Sequence, residues 1–118
     1  MTHPPTMPEL LPHAFAAAFT SGDPVEAFYE PDAVFVDRSG TALTGAARVT
    51  ANTAFQALGQ PLDVTPRHVF TAGDVALLVV DWTIGEITGT ATDVARRGTD
   101  GRWRYVVDNP FGTATGAG

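Results

Sequence analysis

Apolar positions along this chain recur with two different spacings, and the change of spacing divides it. Leu11, Ala14, Phe15 and Ala18 stand at i, i+3, i+4 and i+7, which predicts one buried face of a helix beginning near Glu9. Gly22 is a natural C-terminal cap for it. Asp23, Pro24 and Glu26 then supply an N-cap, a first helical residue and an N3 carboxylate, so a short second helix is expected to run to about Tyr29 before Pro31 and Asp32 end it. A third helix, capped by Thr44 and closed by Gly59 and Pro61, would bury Ala51, Ala54, Phe55 and Leu58.

Elsewhere the period falls to two. Ala33 to Asp37 reads as a strand, Ser39-Gly40 as a turn and Thr41 to Leu43 as a short return. Leu62 to Thr71, Val75 to Ile84, Ile87 to Arg97 and Arg102 to Asn109 follow as long strands. Their turns fall at Gly73-Asp74, Gly85-Glu86 and Asp100-Gly101. Helices followed by an antiparallel meander make an α+β class, with the helices gathered on one face of the sheet. Met1 to Pro8, with three prolines, should be loose, and Thr113 to Gly118 should be a disordered tail. At 118 residues the chain is expected to form one domain spanning 1–118.

Alternation also sorts side chains. A two-residue hairpin at Gly85-Glu86 pairs Ile84 with Ile87, Val80 with Ala91 and Leu78 with Asp93. Leu78, Val80, Trp82, Ala91, Asp93 and Ala95 then share one face, and an even-length loop at Asp100-Gly101 adds Val106 and Asp108 to it. This face is apolar apart from two carboxylates and an indole, so it is the better pocket wall. The other face carries Val79, Asp81, Thr90, Thr92, Val94 and Arg96, a mixture suited to solvent or a partner subunit. His68 stands beside Leu78 if the preceding turn has three residues; a two-residue turn puts Val69 there instead.

Thirteen acidic against seven basic residues leave a net charge of −6, which argues against a nucleic-acid partner. With no cysteine, disulfides and thiolate chemistry are excluded. Asp37, Asp93, Asp108 and His68 could be drawn as metal ligands, but no paired spacing supports a metal site, and no metal or cofactor is expected. Phosphate-binding loops and nucleophile elbows are absent. No stretch approaches the roughly 20 apolar residues of a membrane span, and no signal core opens the chain, so a cytoplasmic location away from membranes is expected.

Several motifs resemble the nuclear transport factor 2-like superfamily, in particular its SnoaL-like and ketosteroid isomerase-like branch. They are Ser21-Gly22-Asp23, the run from Phe28 to Asp37, Leu43-Thr44-Gly45, the run from Ala72 to Ala76, Asp81-Trp82 and the run from Asp100 to Trp103. Together they cover nearly all of the chain from Leu10 to Gly112. The resemblance implies a cone-shaped, curved antiparallel sheet capped by three helices around a central pocket, and a homodimer through the outer sheet face.

The resemblance also implies roles. Asp37 stands where ketosteroid isomerases carry their proton-shuttling carboxylate, although a strand-end Asp can equally cap the turn that follows it. Asp93 stands where those enzymes hold a protonated Asp that donates to a developing enolate, and Leu78, Ala91 and Ala95 would favour the neutral acid. The tyrosine partner of that acid aligns with Phe15, which has no hydroxyl to donate. Asp108 could share a proton with Asp93 or simply close its strand. Trp82 offers a flat wall and an indole N–H, while Phe15 and Phe55 would close the pocket from the helices, with His68 as a further candidate ligand contact. The expected function is binding of a small apolar ligand or substrate by a SnoaL-like protein. Cofactor-free acid–base chemistry such as isomerisation, cyclisation or epoxide opening would act on a carbonyl compound there. The alternatives are a noncatalytic ligand-binding or self-association module, or an accessory protein using its polar sheet face.

Overall fold

A computed structural model describes residues 3–112. Six strands form one curved sheet in the order β2-β1-β6-β5-β4-β3: β1 (Tyr29–Val36), β2 (Ala42–Leu43), β3 (Leu62–Ala72), β4 (Val75–Ile84), β5 (Ile87–Arg97) and β6 (Trp103–Asp108). Two α-helices, α1 (Leu11–Thr20) and α2 (Gly45–Gln56), pack against its concave face. The α+β class and the capped, curved sheet are therefore as expected. The short second helix is not: Glu26–Phe28 makes one 3₁₀ turn before Tyr29 enters β1. Four residues between Pro24 and a strand are too few to nucleate an α-helix.

The sheet is mixed rather than antiparallel. β1 runs parallel to β6, with Tyr29 beside Tyr105 and Phe35 beside Asp108, and so covers the edge of the meander that β6 would otherwise leave unpaired. That pairing joins the first strand of the chain to the last, which no local alternation records.

β4 and β5 behave as the hairpin predicts. Gly85, with a φ of +58°, allows the tight turn, and Ile84 pairs with Ile87, Val80 with Ala91 and Leu78 with Asp93. The turn from β3 to β4 has two residues as well, and it sets Val69 opposite Leu78. A bulge between Pro66 and His68 then moves Val64 and Leu62 inward, opposite Trp82 and Ile84. Pro66 has no N–H to offer and lies on an edge strand, where such an interruption costs least.

Helix α2 departs from the expected face. Arg48 and Asn52 are buried and Phe55 half-buried, whereas Ala54 and Leu58 are exposed. The N-terminal prolines are not loose either. Pro4 and Pro8 are buried, the Pro5 carbonyl accepts the Trp103 N–H at 2.8 Å and the Pro4 carbonyl accepts Arg102 Nη1 at 2.6 Å. Proline lacks a donor but keeps its acceptor, and the start of β6 needs one. Residues 113–118, expected to form a flexible tail, lie outside the described residues. No described helix is long and apolar enough to cross a membrane.

Candidate functional site

The concave face and the two helices enclose a cleft of about 580 Å³ of empty space, its open mouth included. Phe15 and Phe19 of α1, Asn52 and Phe55 of α2, Phe35, Trp82, Tyr105 and the two carboxyls Asp93 and Asp108 line it, with aliphatic side chains filling the remainder. Phe15, Phe55, Trp82 and Asp93 are thus brought together as alternation and helix periodicity predict, whereas Asp108 joins them through a bulge at Val106, which itself does not line the cleft.

Gly89 pairs with Trp82 across β4 and β5, and the indole lies over the space that a side chain would occupy. A Cβ at Gly89 would stand 2.9 Å from the ring. Gly89→Val should therefore push Trp82 off the wall at a cost of about 1–3 kcal/mol. A shifted tryptophan emission spectrum and a lower urea midpoint are the expected readouts. The indole N–H donates to the Pro110 carbonyl at 2.5 Å, so Trp82 presents its ring to a ligand while its polar handle is already engaged.

At the polar end, the buried Asp93 and Asp108 carboxyls stand close enough to shift each other's proton affinity. The Tyr29 hydroxyl donates to Asp108 Oδ2 at 2.5 Å and accepts from Asn52 Nδ2 at 3.0 Å. The Asn109 N–H donates to Asp93 Oδ1 at 2.8 Å. Burial, then repulsion from Asp108, pushes Asp93 well above the usual carboxylate range. Burial also raises Asp108, to about 6, against the opposing hydrogen bonds from Tyr29 and Asp93 and the charge of Arg48. Two carboxyls buried side by side resist joint ionisation, which favours a proton retained by the pair, with Asp93 the member raised well above its ordinary range. Burial followed by the charge on Asp108 raises Tyr29 well above its ordinary value, so Tyr29 stays a neutral donor.

Arg48 supports this network from behind. Its guanidinium lies 4.7 Å from the centre of the Tyr29 ring, donates to the Ala33 carbonyl at 2.7 Å and pairs with Glu26 at 2.6 Å. Tyr105, also buried, makes edge contact with Phe15 at 5.6 Å between ring centres. Burial and the nearby Asp93 and Asp108 charges raise its hydroxyl well above the usual range.

Two candidates lie elsewhere. Asp37 accepts from the Ser39 N–H at 2.9 Å, the Ser39 hydroxyl at 2.7 Å and the Thr41 N–H at 2.9 Å. These bonds, that from the Ser39 hydroxyl foremost, lower its proton affinity. Asp37 therefore caps the β1–β2 turn and does not line the cleft. His68 is exposed on the outer face and stacks on Phe70 at 5.4 Å, because the two-residue turn sets Val69 inward in its place. Among the described residues no group of three or more His, Asp or Glu is placed to hold a metal ion.

Sequence reasoning missed Tyr29, Arg48, Asn52 and Tyr105. For α2 a signal was present: Arg48, Asn52 and Phe55 stand at i, i+4 and i+7. Tyr105 had none, because a bulge at Val106 brings both Tyr105 and Asp108 to the inner face.

Comparison with known proteins agrees with this architecture. No curated protein matches the chain significantly. A solved structure from Thiobacillus denitrificans ATCC 25259, described as a candidate calcium/calmodulin-dependent protein kinase type II association domain, has 25% identity and a TM-score of 0.73 over 92% of this chain and 95% of its own. A candidate dehydratase of the NTF2-like family from Streptomyces avermitilis superposes with a TM-score of 0.67 at 19% identity, over 85% of this chain and 89% of its own. A candidate ketosteroid isomerase from Shewanella frigidimarina gives 0.65 at 19%, over 83% and 89%. At such identities the last two show the fold alone. The SnoaL-like domain model matches residues 13–115, which takes in every strand of the sheet and all the cleft residues after Pro12. With the fold, the cleft and this match in agreement, the chain belongs to the SnoaL-like domain family.

Proposed function

We propose that the cleft binds a small apolar carbonyl compound and that the Asp93–Asp108 pair acts on it as a general acid. The observation that carries this reading is the pair of buried carboxyls, both raised in proton affinity, at the end of a cleft otherwise walled mostly by aromatic and aliphatic side chains. A ligand carbonyl replacing bulk water there would accept a hydrogen bond from the protonated member as negative charge develops on its oxygen. Tyr105 opens on the same space from β6. Isomerisation, cyclisation and epoxide opening all draw on such a donor. Asp37, fully engaged in its turn, is not needed for it; a proton leaving carbon would pass to Asp108 or to water.

The α-hydrogens of 2-tetralone in D₂O provide a test, since NMR reads both their exchange and binding of the ketone. The wild-type protein should accelerate exchange, and Asp93→Asn should cut that acceleration by about 10²-fold or more while leaving the dissociation constant nearly unchanged. Equal exchange in the two proteins would remove the acid from the reading. Binding with no exchange in either would favour a noncatalytic binding module.

A separate observation favours self-association as well. Phe70, Val75 and Leu77 are 59%, 44% and 41% exposed, and Phe70 and Leu77 pair on the outer face of β3 and β4. We propose that two copies meet through this face, which the likeness to the association domain from Thiobacillus denitrificans also supports. Light scattering at tens of micromolar should give a dimer for the wild type and a folded monomer for Phe70→Glu; a monomeric wild type would refute the assembly.

A further inference from the structure

Two polar atoms in the cleft have no partner among the described residues. Asn52 and Tyr105 are only 4% and 3% exposed, and both line the cavity. Tyr29 donates to Asp108 Oδ2 at 2.5 Å, so it must accept from Asn52, which fixes the amide orientation and leaves Asn52 Oδ1 free. Neither Oδ1 nor the Tyr105 hydroxyl is among the enclosed atoms that lack a partner, so both open on the cleft. Of the other polar atoms of this wall, Trp82 Nε1 is engaged by Pro110, Asp93 Oδ1 by Asn109 and Asp108 Oδ2 by Tyr29.

The two free groups differ in kind. A phenol or a protonated carboxyl can satisfy a carbonyl oxygen. An amide oxygen can only accept, and a plain ketone leaves it unpaired in a water-poor site. We propose that the ligand is a hydroxycarbonyl compound: its carbonyl oxygen accepts from the Asp93–Tyr105 end of the cleft while its hydroxyl donates to Asn52 Oδ1. Asn52 and Asp108 both hydrogen-bond the Tyr29 hydroxyl, at 3.0 Å and 2.5 Å, so the amide and the carboxyl pair stand at the same end of the cleft. Asn52 is then a specificity-determining residue for the pocket chemistry proposed above, on which this inference rests.

Three probes isolate the hydroxyl: acetophenone, 2-hydroxy-1-phenylethanone and 2-methoxy-1-phenylethanone, the last keeping the oxygen but not the donor. Titrated into ¹⁵N-labelled protein, the hydroxy compound should bind roughly tenfold more tightly than either of the others, the value of one buried hydrogen bond that would otherwise go unmade. In Asn52→Leu that advantage should disappear. Equal affinities for the hydroxy and methoxy compounds, or an advantage that survives Asn52→Leu, would overturn the inference while leaving a ketone-binding cleft intact. Should that variant fail to fold, the wild-type affinities for the three probes still decide. Failure of all three probes to bind would overturn the pocket reading itself.

Discussion

Arg48→Met should lower the stability of the protein by about 1–3 kcal/mol, the range for leaving buried hydrogen-bond partners unmade, because the Glu26 carboxylate is 38% exposed and can turn to water. The Arg48 side chain is 5% exposed and anchors α2 to the start of β1 through the Ala33 carbonyl and Glu26. A methionine fills the stem volume but leaves that carbonyl and the Glu26 carboxylate without the cation. It also removes the guanidinium from the Tyr29 ring, so Tyr29 loses part of what holds its hydroxyl on Asp108. Urea unfolding at constant m-value measures the loss. Arg48→Lys, which keeps the charge but not the planar fork, should fall in between. A loss below about 1 kcal/mol for Arg48→Met would mean that water already satisfies these groups.

The second large effect is on the pH dependence of stability. Asp93 and Asp108 both have folded-state proton affinities above the unfolded value of roughly 3.9. Above about pH 4 the native state therefore binds more protons than the unfolded chain. The pair's contribution falls as pH rises, through about 6 for Asp108 and onward for Asp93. Groups with lowered values, among them Glu30, Asp37, Asp81 and Asp100, act in the opposite sense: their stabilisation is present above the unfolded value and is lost only as pH falls below it. Between pH 5 and pH 8 the pair should therefore dominate the slope.

Asp93→Asn tests this directly. The introduced amide can donate to Asp108 as a protonated carboxyl would, and its oxygen can accept from the Asn109 N–H. Stability at pH 8 should rise by about 1–3 kcal/mol and the difference between pH 5 and pH 8 should shrink, as seen by urea unfolding at each pH. A variant that is less stable at pH 8 than the wild type would show that Asp93 is ionised there, and the shared proton would have to be abandoned. The same substitution removes the acid, so a gain in stability with a loss of proton transfer is the joint signature of a functional site held against a stability cost.

How far this could be read from residues alone depended on distance along the chain. The hairpin of β4 and β5 was legible in full, because a two-residue turn locks the register and period-two alternation then assigns every side chain; Trp82 and Asp93 reached the cleft by that logic. Phe15 and Phe55 followed from helix periodicity, and the apolar neighbours of Asp93 announced its raised proton affinity. Asp37 took the turn-capping one of its two readings because its side chain has good partners two and four residues away, in Ser39 and Thr41, and the short-range bonds won.

Tertiary structure alone decided the rest. The bulge at Val106 turned Tyr105 inward beside Asp108, and the one at Arg67, next to a proline on an edge strand, brought Val64 and Leu62 inward opposite Trp82 and Ile84. β1 docked in parallel on β6, which put Tyr29 within reach of Asp108, 79 residues away. Because Tyr29 and Glu26 lie beneath α2, that helix buries Arg48 and Asn52 in place of Ala54 and Leu58. Turn chemistry and alternation are local, so the chain carries them openly. A bulge or a buried polar face is chosen by whichever distant groups need a partner, and that choice exists only once the sheet has closed.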